Sequence, residues 1–432
     1  MLITLLISLS IIGVFITSIL FFPTMEFKGR RIKIYSFIPL IGAIILILCD
    51  RIKFSRIVSA FLENTSVNPL KILILFLSMT VFSLILEQTG FFSYISSAVL
   101  KKAGHNQFLI FLSFYSVISL LTIFTSNDII ILTFTPFICH FCKSAKVDPL
   151  PYLIMEFVAA NTWSLLLIIG NPTNIYLCSA FEIGFIPYLK TMFLPTIFAG
   201  LSSLLAMFII FGKKLRQPMQ ECEEHGEITD KPIMVISLIH LLICVVALAI
   251  SQYISLEMWI ISLTVALSEI ICVAICLLVR KKNFTPLSRG LMGMPFEIIP
   301  FIVGMFIIVL ALDDSGITSI IQNALAAYPD RFTYGYLSFF SANIVNNIPM
   351  SVLFSKILTS AESVSIGGVF ATVIGSNIGA FLTPIGALAG IMWSNLLRKN
   401  GVKITFARFI KYGTVIGLVA VSASLGGLYL IL

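Results

Sequence analysis

The chain has 432 residues, of which 58% are hydrophobic and 11% are charged, and its mean hydropathy is +1.05. This composition excludes a soluble globular protein, because the apolar residues fall in blocks near the ~20 residues that a helix needs to span a bilayer. The net charge of +8 does not indicate a nucleic-acid partner, since Lys and Arg accumulate in the cytoplasmic loops of membrane proteins. We therefore predict a multi-pass protein of the cell (cytoplasmic) membrane, surrounded by the lipid bilayer.

Twelve hydropathy blocks follow one another along the chain. They lie at about 2–22, 34–49, 72–88, 107–142, 149–181, 187–211, 233–251, 257–279, 296–312, 335–359, 366–397 and 413–432. The first block has no preceding basic residue and is longer than a signal-peptide core, so we expect it to remain as a span. The polar stretch 212–232 is predicted to be a cytoplasmic linker between two halves, 1–211 and 233–432.

Two blocks are not expected to cross the membrane as single helices. Blocks 107–142 and 335–359 carry the polar centres "TSND" and "NIVNNIP" at membrane depth. Irregular backbone is tolerated there only inside protein or beside a water-filled cavity, and a re-entrant hairpin satisfies this rule. If the other ten blocks cross, the chain starts outside, and each half has five transmembrane helices plus one hairpin, with the second half inverted.

Two further patterns favour this inverted arrangement. The predicted cytoplasmic segments hold 21 of the 28 Lys and Arg residues, outside segments hold six, and Lys356 lies in a hairpin arm. Four of the six outside residues crowd the loop 50–71, which fits the positive-inside rule least well. Nearly constant offsets of 219 and 216 residues align "SNDIII" with "VNNIPM" and "NTWSLLLIIGNPTN" with "NIGAFLTPIGALAG". Such weak internal similarity is typical of inverted repeats in transporters. The fold prediction is an all-α membrane protein of two inverted repeats.

Each half also contains a span that Gly and Pro interrupt, in 149–181 at "IIGNPTN" and in 366–397 at "LTPIGALAG". Half-helix N-termini at the midplane carry partial positive charge and can receive an anion or polar solute, while C-terminal carbonyl groups suit a cation. We predict one site for a small ion or anion where these breaks meet the hairpin tips. Its predicted residues are Ser126, Asn127, Asp128, Asn161, Gly170, Asn171, Pro172, Thr173, Asn174, Asn346, Asn347, Asn377, Thr383, Pro384 and Gly386. The competing interpretation is that these residues only cap half-helices and join neighbouring helices.

Carboxyl groups at membrane depth are functional candidates, because their burial is costly. Asp128 lies at the predicted first hairpin tip, where it can exchange a proton or hold a cation, and Glu156 lies ahead of the first break. Asp128 and Glu156 are the predicted proton-coupling residues, and Glu269 is a third candidate. The alternative role for Asp128, capping the second hairpin arm, is compatible with coupling. Four other acids are expected at the membrane interface: Glu87, Glu297, Asp313 and Asp314.

The sequence does not indicate an enzyme. It contains no HExxH pattern and no nucleotide-binding loop, so we expect no cofactor, and any ATP-driven version would need a separate ATPase subunit. Cys139, His140 and Cys142 lack the second ligand pair of a structural zinc site, so no metal site is predicted. A channel remains an alternative that single-channel conductance would distinguish.

The four interruptions occur in segments that resemble a known family. "TSNDIIILTFTPFI", "IIGNPTNIYLCSAFEIGF", "NIVNNIPMSVLFSKIL" and "GSNIGAFLTPIGALAGIMW" are similar to the ion transporter superfamily. Its members include arsenical pump membrane subunits, D-type sodium/proton antiporters, and citrate and dicarboxylate carriers. The resemblance is strongest to the arsenical pump group and covers nearly the whole chain from about residue 30.

The resemblance implies an elevator-like secondary transporter, commonly a homodimer, that holds its substrate between the hairpin tips and the broken spans. Where the dicarboxylate carriers have Ser-Asn-Thr tips, this chain has 126–128 Ser-Asn-Asp and 345–347 Val-Asn-Asn. That departure argues against a sodium-coupled dicarboxylate carrier and favours the arsenite or antiporter branches of the family. We expect a carrier for a small inorganic ion or anion such as arsenite or antimonite, with proton coupling through Asp128 as a hypothesis. Sodium/proton antiport or transport of a carboxylate such as citrate are the alternatives.

Overall fold

The computed structural model describes residues 1–21, 25–27, 30–64, 68–104, 106–220, 226–251, 253–359 and 365–432. The helices of the first half are α1 (Leu2–Phe21), α2 (Ile38–Leu48), α3 (Phe54–Leu62), α4 (Pro69–Gln88), α5 (Phe91–Ala103), α6 (Gln107–Phe124), α7 (Asn127–Ser144), α8 (Pro149–Trp163), α9 (Pro172–Ala180) and α10 (Phe185–Phe211). Strands β1 (Met25–Phe27) and β2 (Arg30–Ile32) form an antiparallel pair after α1.

The second half is helical throughout its described residues. Its helices are α11 (Lys231–Ala249), α12 (Met258–Val279), α13 (Thr285–Met292), α14 (Ile298–Asp314), α15 (Ile317–Leu325), α16 (Asp330–Val345), α17 (Asn347–Thr359), α18 (Ile366–Ile378), α19 (Leu388–Lys399) and α20 (Phe406–Ile431). Seven helices of the described chain are long and apolar enough to cross a membrane, and α14 with α15 forms a pair bent by 74°. The prediction of an all-α, multi-pass membrane protein is confirmed.

An Asn or Asp residue followed by proline one or two positions later begins several helices. The side chains of Asn68, Asp148, Asn171 and Asp230 accept a hydrogen bond from a backbone N–H in the first turns of α4, α8, α9 and α11. Proline in the first turn needs no hydrogen-bond partner for its nitrogen, and the capping oxygen satisfies one of the N–H groups that the helix leaves unpaired. These residues therefore fix where α9, the second part of a broken span, begins.

Both predicted hairpins fold back on themselves. Phe114 on α6 packs against Phe137 and Phe141 on α7, with ring centroids 5.9 and 5.7 Å apart. In one straight helix, residues 114 and 137 would lie about 35 Å apart. On the second hairpin, the rings of Tyr334 on α16 and Phe354 on α17 are 6.3 Å apart. The first arm of this hairpin begins at Asp330, five residues before the predicted boundary.

Burial separates the helices of the site from those that face lipid. α8 and α18 are buried on nearly every side, as expected for helices at the centre of a membrane protein. By contrast, α11 and α12 each bury one face and expose an apolar stripe, which includes Ile239, Leu242 and Val246 on α11. The broken spans therefore lie inside a shell of lipid-facing helices.

The ion pairs of the described residues join segments that were predicted to lie on the same side of the membrane. They are Lys33–Glu297, Lys214–Asp148, Arg280–Asp230 and Lys282–Asp230 on the cytoplasmic side, and Arg56–Asp314 and Lys71–Glu257 on the outside. A further pair, Lys356–Asp313, involves a residue of the second hairpin arm, which was assigned to neither side. Two of these pairs neutralise Arg56 and Lys71, which belong to the basic loop 50–71. This pairing gives a physical reason why positive charge is tolerated in that outside loop.

Candidate functional site

The first broken span consists of α8, a 3₁₀ turn at Ile168–Gly170, and α9. Asn171 caps α9, and Pro172 occupies its first turn. The Asn174 side chain donates to the carbonyl oxygens of Ser164 and Leu167, at 2.8 and 3.2 Å. Ser164 directly follows α8, where carbonyl oxygens lack helical partners, and the Leu167 carbonyl also accepts from the Gly170 N–H in the 3₁₀ turn. Gly170 packs so tightly on Ser164 that a Cβ atom would collide with the Ser164 carbonyl oxygen. The break is thus a defined turn.

Asn377 on α18 joins this break to the second half of the chain. Its Nδ2 donates to Asn174 Oδ1 at 2.7 Å, and its Oδ1 accepts from Asn171 Nδ2 at 2.8 Å and from Ser164 Oγ at 3.1 Å. We call Ser164, Asn171, Thr173, Asn174, Ser376 and Asn377 the central amide cluster; Ser376 Oγ donates to Thr173 Oγ1 at 3.2 Å. Each of these side chains is buried.

The first hairpin tip reaches the same region through side chains. Asn127 Nδ2 donates to Asn161 Oδ1 at 3.0 Å, and Asn161 Nδ2 donates to the Phe157 carbonyl at 2.9 Å. Ser164 Oγ lies 3.0 Å from the Asn161 carbonyl oxygen and so connects this pair to the central amide cluster. The structure therefore brings together Asn127, Asn161 and the predicted residues of the first break.

The second hairpin tip packs on the second break. Asn346 Nδ2 donates to the Ile385 carbonyl, and the Asn347 backbone N–H donates to the Gly386 carbonyl, both at 2.9 Å. Asn343 Oδ1 accepts from the backbone N–H and the hydroxyl of Thr383, at 2.9 and 2.8 Å. We call Asn343, Asn346, Asn347, Thr383 and Gly386 the second-break cluster. The predicted site residues thus fall into two hydrogen-bonded clusters.

Asn346 has an uncommon backbone conformation. Its φ of 72° and ψ of 150° lie in a region that favours glycine and costs about 1–3 kcal/mol for other residues. The hydrogen bonds to Ile385 and Gly386 hold the tip in this conformation. Strain of this kind concentrates at ligand sites and switch regions.

Each tip also presents a polar atom without a partner. Ser126 Oγ and Asn347 Oδ1 are buried and form no hydrogen bond among the described residues. A buried unsatisfied polar group costs about 1–3 kcal/mol. A bound polar solute would relieve that cost at either tip.

Asp128 faces away from both clusters. It lies in the first turn of α7, after Ser126 at the N-cap position, and it lines a small cavity of about 30 Å³ with Tyr35, Thr80 and Glu297. Lys33, which pairs with Glu297, also interacts electrostatically with Asp128. Among the described residues, no hydrogen bond connects its carboxylate with either cluster, so the first tip contacts the amides through Asn127.

The other two intramembrane acids lie in different surroundings. Glu156 on α8 is fully buried, and its Oε1 accepts from Thr135 Oγ1 on α7 at 2.7 Å. Glu269 is also fully buried, on the inward face of α12, and neither carboxyl oxygen forms a hydrogen bond with a described residue. Glu156 is therefore on the broken span, whereas Glu269 is in the shell of α4, α11 and α12.

Several residues of the site were not predicted from the sequence. Ser164, Asn343 and Ser376 complete the two clusters, and Thr135 binds Glu156. Asn343 and Ser164 are polar residues inside apolar blocks, and this position could have marked them as candidate site residues. No sequence pattern indicated which partner each of these side chains would bind.

The profile of the citrate transporter family matches residues 32–368. The chain belongs to the citrate transporter family. An arsenical pump membrane protein of Escherichia coli is 24% identical over 371 residues, covering 82% of this chain and 85% of that protein. A putative arsenical pump membrane protein of Bacillus subtilis is 25% identical over 447 residues, covering 95% and 98%. The predicted family resemblance is thereby confirmed, and the protein is a multi-pass membrane transporter.

The fold of the chain is also similar to a solved structure. The crystal structure of the YdaH transporter of Alcanivorax borkumensis matches with a TM-score of 0.58 at 12% sequence identity, covering 99% of this chain and 97% of that one. At this identity the likeness concerns the fold alone. The chain therefore shares its overall fold with that structure over nearly its whole length.

Proposed function

We propose that this member of the citrate transporter family is a secondary active transporter of a small inorganic solute of the arsenite and antimonite type, coupled to protons. The observation that carries the proposal is the central amide cluster, in which Asn377 of the second half binds Asn171 and Asn174 at the first break. Broken helices that meet across the two halves are the usual place of substrate binding in secondary transporters.

The chemistry of the clusters favours a small hydroxyl-bearing solute over a carboxylate such as citrate. Each side chain of the two clusters is an uncharged amide or hydroxyl group, or glycine. Such groups can both donate to and accept from a solute that carries hydroxyl groups. Carboxylates are recognised most strongly by Arg or Lys, and neither residue type belongs to either cluster. The arsenical pump names of the relatives support the same choice.

Asp128 and Glu156 are the proposed proton-coupling residues. An acid at membrane depth that changes protonation can link solute movement to a proton gradient. Asp128 lies on the hairpin whose tip contacts Asn161, and Glu156 lies on α8, one to two turns before the first break. The proposed resting assembly is a homodimer. An ATPase subunit would be an additional partner that the transport reaction itself does not require.

The test is transport by the purified protein in proteoliposomes. Arsenite and antimonite uptake driven by a pH gradient is compared for wild type, Asn377→Ala and Asn323→Ala. Asn323 is exposed on α15 and serves as the matched control. We expect Asn377→Ala to slow uptake by roughly tenfold or more, because it leaves several buried polar groups unpaired, and Asn323→Ala to transport like wild type. Wild-type protein that moves neither solute would contradict the proposal.

Sodium/proton antiport is the second candidate, because Asp128 interacts with the Lys33–Glu297 pair and carboxylates hold cations. It predicts that sodium alone releases protons from loaded vesicles, with no arsenite, antimonite or carboxylate present. A pH-sensitive dye in the same proteoliposomes measures this. Citrate uptake in a parallel sample tests the carboxylate alternative.

A further inference from the structure

Two buried polar atoms from opposite halves of the chain remain unpaired around one acid. Glu156 Oε2, on α8, and Trp393 Nε1, on α19, form no hydrogen bond with any described residue. The Trp393 indole nevertheless lies close enough to the Glu156 carboxyl group to act on it electrostatically, although no hydrogen bond of normal geometry joins them. The other carboxyl oxygen is bound by Thr135, as described above.

Trp393 separates Glu156 from a large cavity. Its ring packs against Phe157 and Phe409, with centroids 5.4 and 5.3 Å apart, and it is only 1% exposed. The same residue lines a cavity of about 400 Å³ together with Pro384 and Ile385 of the second break. A volume of this size can hold on the order of ten water molecules at ~30 Å³ each.

The cavity lies towards the predicted cytoplasmic side. Its lining includes Arg398 at the end of α19 and Lys403 in the following loop, which both belong to a segment assigned to the cytoplasm. Ile385, which accepts the hydrogen bond from the tip residue Asn346, lines its inner part. One cavity thus extends from the cytoplasmic cations Arg398 and Lys403 to Ile385 of the second break and to the indole ring.

We propose that Trp393 is the gate through which the Glu156 carboxyl group exchanges its proton with this cytoplasmic cavity. The inference deepens the proposed function and rests on it, since Glu156 is there a proton-coupling residue. When the indole ring moves aside, cavity water reaches Oε2, and Glu156 releases its proton to water or takes one up. With the ring in place, the carboxyl group is sealed.

The surroundings of Glu156 fit an exchange site better than a structural acid. The two unpaired atoms each cost about 1–3 kcal/mol, and a water molecule that entered between them would satisfy both. The elements packed on α8 bring the Thr135 hydroxyl and the Cys139 thiol of α7 to the carboxyl group. These groups are uncharged in their ordinary forms, so the ion that balances a charged Glu156 comes from the cavity.

The test measures whether a water-soluble carbodiimide reaches Glu156. The reagent adds to carboxyl groups, and peptide mass spectrometry reads the modification at residue 156 in vesicles of known orientation. Wild type, Trp393→Ala, Trp393→Phe and the blank Glu156→Gln are compared. Trp163→Phe is the matched control, because the Trp163 indole is bound by the Tyr115 hydroxyl at 3.0 Å and does not line the cavity.

We expect Trp393→Ala to raise the labelling rate roughly tenfold when the reagent is added to the cytoplasmic face, because removing the ring joins the cavity to the carboxyl group. Trp393→Phe keeps the ring packing and should stay near the wild-type rate, as should Trp163→Phe. Equal labelling of Trp393→Ala and wild type, or equal labelling from both faces, would overturn the gate. If Trp393→Ala does not fold, Trp393→Leu replaces it.

The labelling readout is independent of transport. If the protein proves not to be proton-coupled, the rate of wild-type solute uptake will not depend on the pH gradient, while Trp393→Ala will still raise the labelling rate of Glu156. If the gate is wrong and the proposed function is right, uptake will respond to the gradient while labelling stays unchanged. The two failures are therefore distinguishable.

Discussion

The two hairpin tips occupy corresponding places in the sequence but are held in different ways. The first tip meets its neighbour through one amide pair, Asn127 with Asn161, and its residues keep ordinary helical backbone from Asn127 onwards. The second tip is bound to its own broken span by the Asn347 backbone and the Asn346 side chain, and Asn346 is strained. A side chain alone thus attaches the first tip, whereas a backbone group also holds the second.

This difference bears on what it costs to move each tip. Separating the first tip from α8 breaks a single side-chain hydrogen bond, and such bonds between membrane helices are worth about 0.6 kcal/mol on average. Separating the second tip breaks two hydrogen bonds but also releases the strain at Asn346, about 1–3 kcal/mol, which favours separation. The second tip therefore stores strain that the first does not, and the following predictions test the contrast.

The largest effect is expected from adding a methyl group at the breaks. In Gly170→Ala the new Cβ collides with the backbone carbonyl of Ser164, whereas in Gly386→Ala its nearest neighbour is the Asn343 amide oxygen at 2.7 Å. Backbone yields less than a side chain, so we expect transport to fall by roughly tenfold or more in Gly170→Ala and by less in Gly386→Ala. Gly426→Ala, where the Cβ meets nothing within 4 Å, is the control. Equal losses in the first two variants would contradict the ranking.

Asp128→Asn makes the first tip as neutral as the second, where Asn347 occupies the corresponding position. We expect the variant to lose stimulation of uptake by a pH gradient while it still exchanges solute across the membrane at equilibrium. The measurement compares both activities in proteoliposomes. Gradient-driven uptake that survives the substitution would remove Asp128 from the coupling mechanism.

Glycine and alanine should rank in opposite order at the two tips. At Asn346, alanine must adopt the strained conformation, so Asn346→Ala should be less stable than Asn346→Gly by about 1–3 kcal/mol. At Asn127, the first residue of α7, the backbone is helical, so glycine should be the less stable replacement, by less than the ~0.5–1 kcal/mol that it costs in the middle of a helix. Thermal unfolding in detergent measures both pairs. The same order at both positions would show that the tips do not differ in backbone strain.

The smallest effect is expected away from the tips, at the Asp230 ion pairs. Burial raises the pKa of Asp230, but the hydrogen bonds from Arg280 and Lys282 and from the Ile233 backbone outweigh it and hold that pKa below its usual range. A lowered folded-state pKa stabilises the protein above the unfolded-state value, and this stability is lost as the pH falls through the folded-state pKa.

Asp230→Asn should therefore destabilise the protein by about 1 kcal/mol or less at neutral pH, since its partners are partly exposed. The difference from wild type should begin to shrink below about pH 4, where residue 230 becomes protonated in the unfolded chain, and should be lost as the pH falls through the lower folded-state pKa. Asparagine also caps helices well, so the variant removes the charge of residue 230 while it keeps the helix cap. Transport and the ranking of the tip variants should not change. A difference that persists at low pH would assign the effect to the cap.

The fold was largely predictable from the sequence because bilayer thickness and helix breakers act locally. The blocks near 20 apolar residues predicted the spans, and Gly170 with Pro172 predicted where α8 and α9 separate. The distribution of Lys and Arg predicted the side of the membrane on which each loop lies, and the ion pairs join loops and span ends predicted to lie on the same side. The extended first arm from Asp330 was missed because the residues that begin α16 are polar and resemble a loop.

The site was predictable in its members more than in its contacts. Asn171, Asn174 and Asn377 were all predicted, yet nothing local indicated that the amide of Asn377 would bind the first break. Asp128 was expected near the site and instead lines a cavity with Tyr35 and Glu297. Such pairings depend on how helices distant in the sequence pack, which periodicity and composition do not encode.

The most direct test of a site shared by both halves is a double-mutant cycle between Asn174 and Asn377. Initial rates of gradient-driven solute uptake are measured for wild type, Asn174→Ala, Asn377→Ala and the double variant. Residues that act as one unit are non-additive, so we predict that the double variant is no slower than the slower single variant. A double loss equal to the product of the two single losses, or full activity in either single variant, would contradict the account.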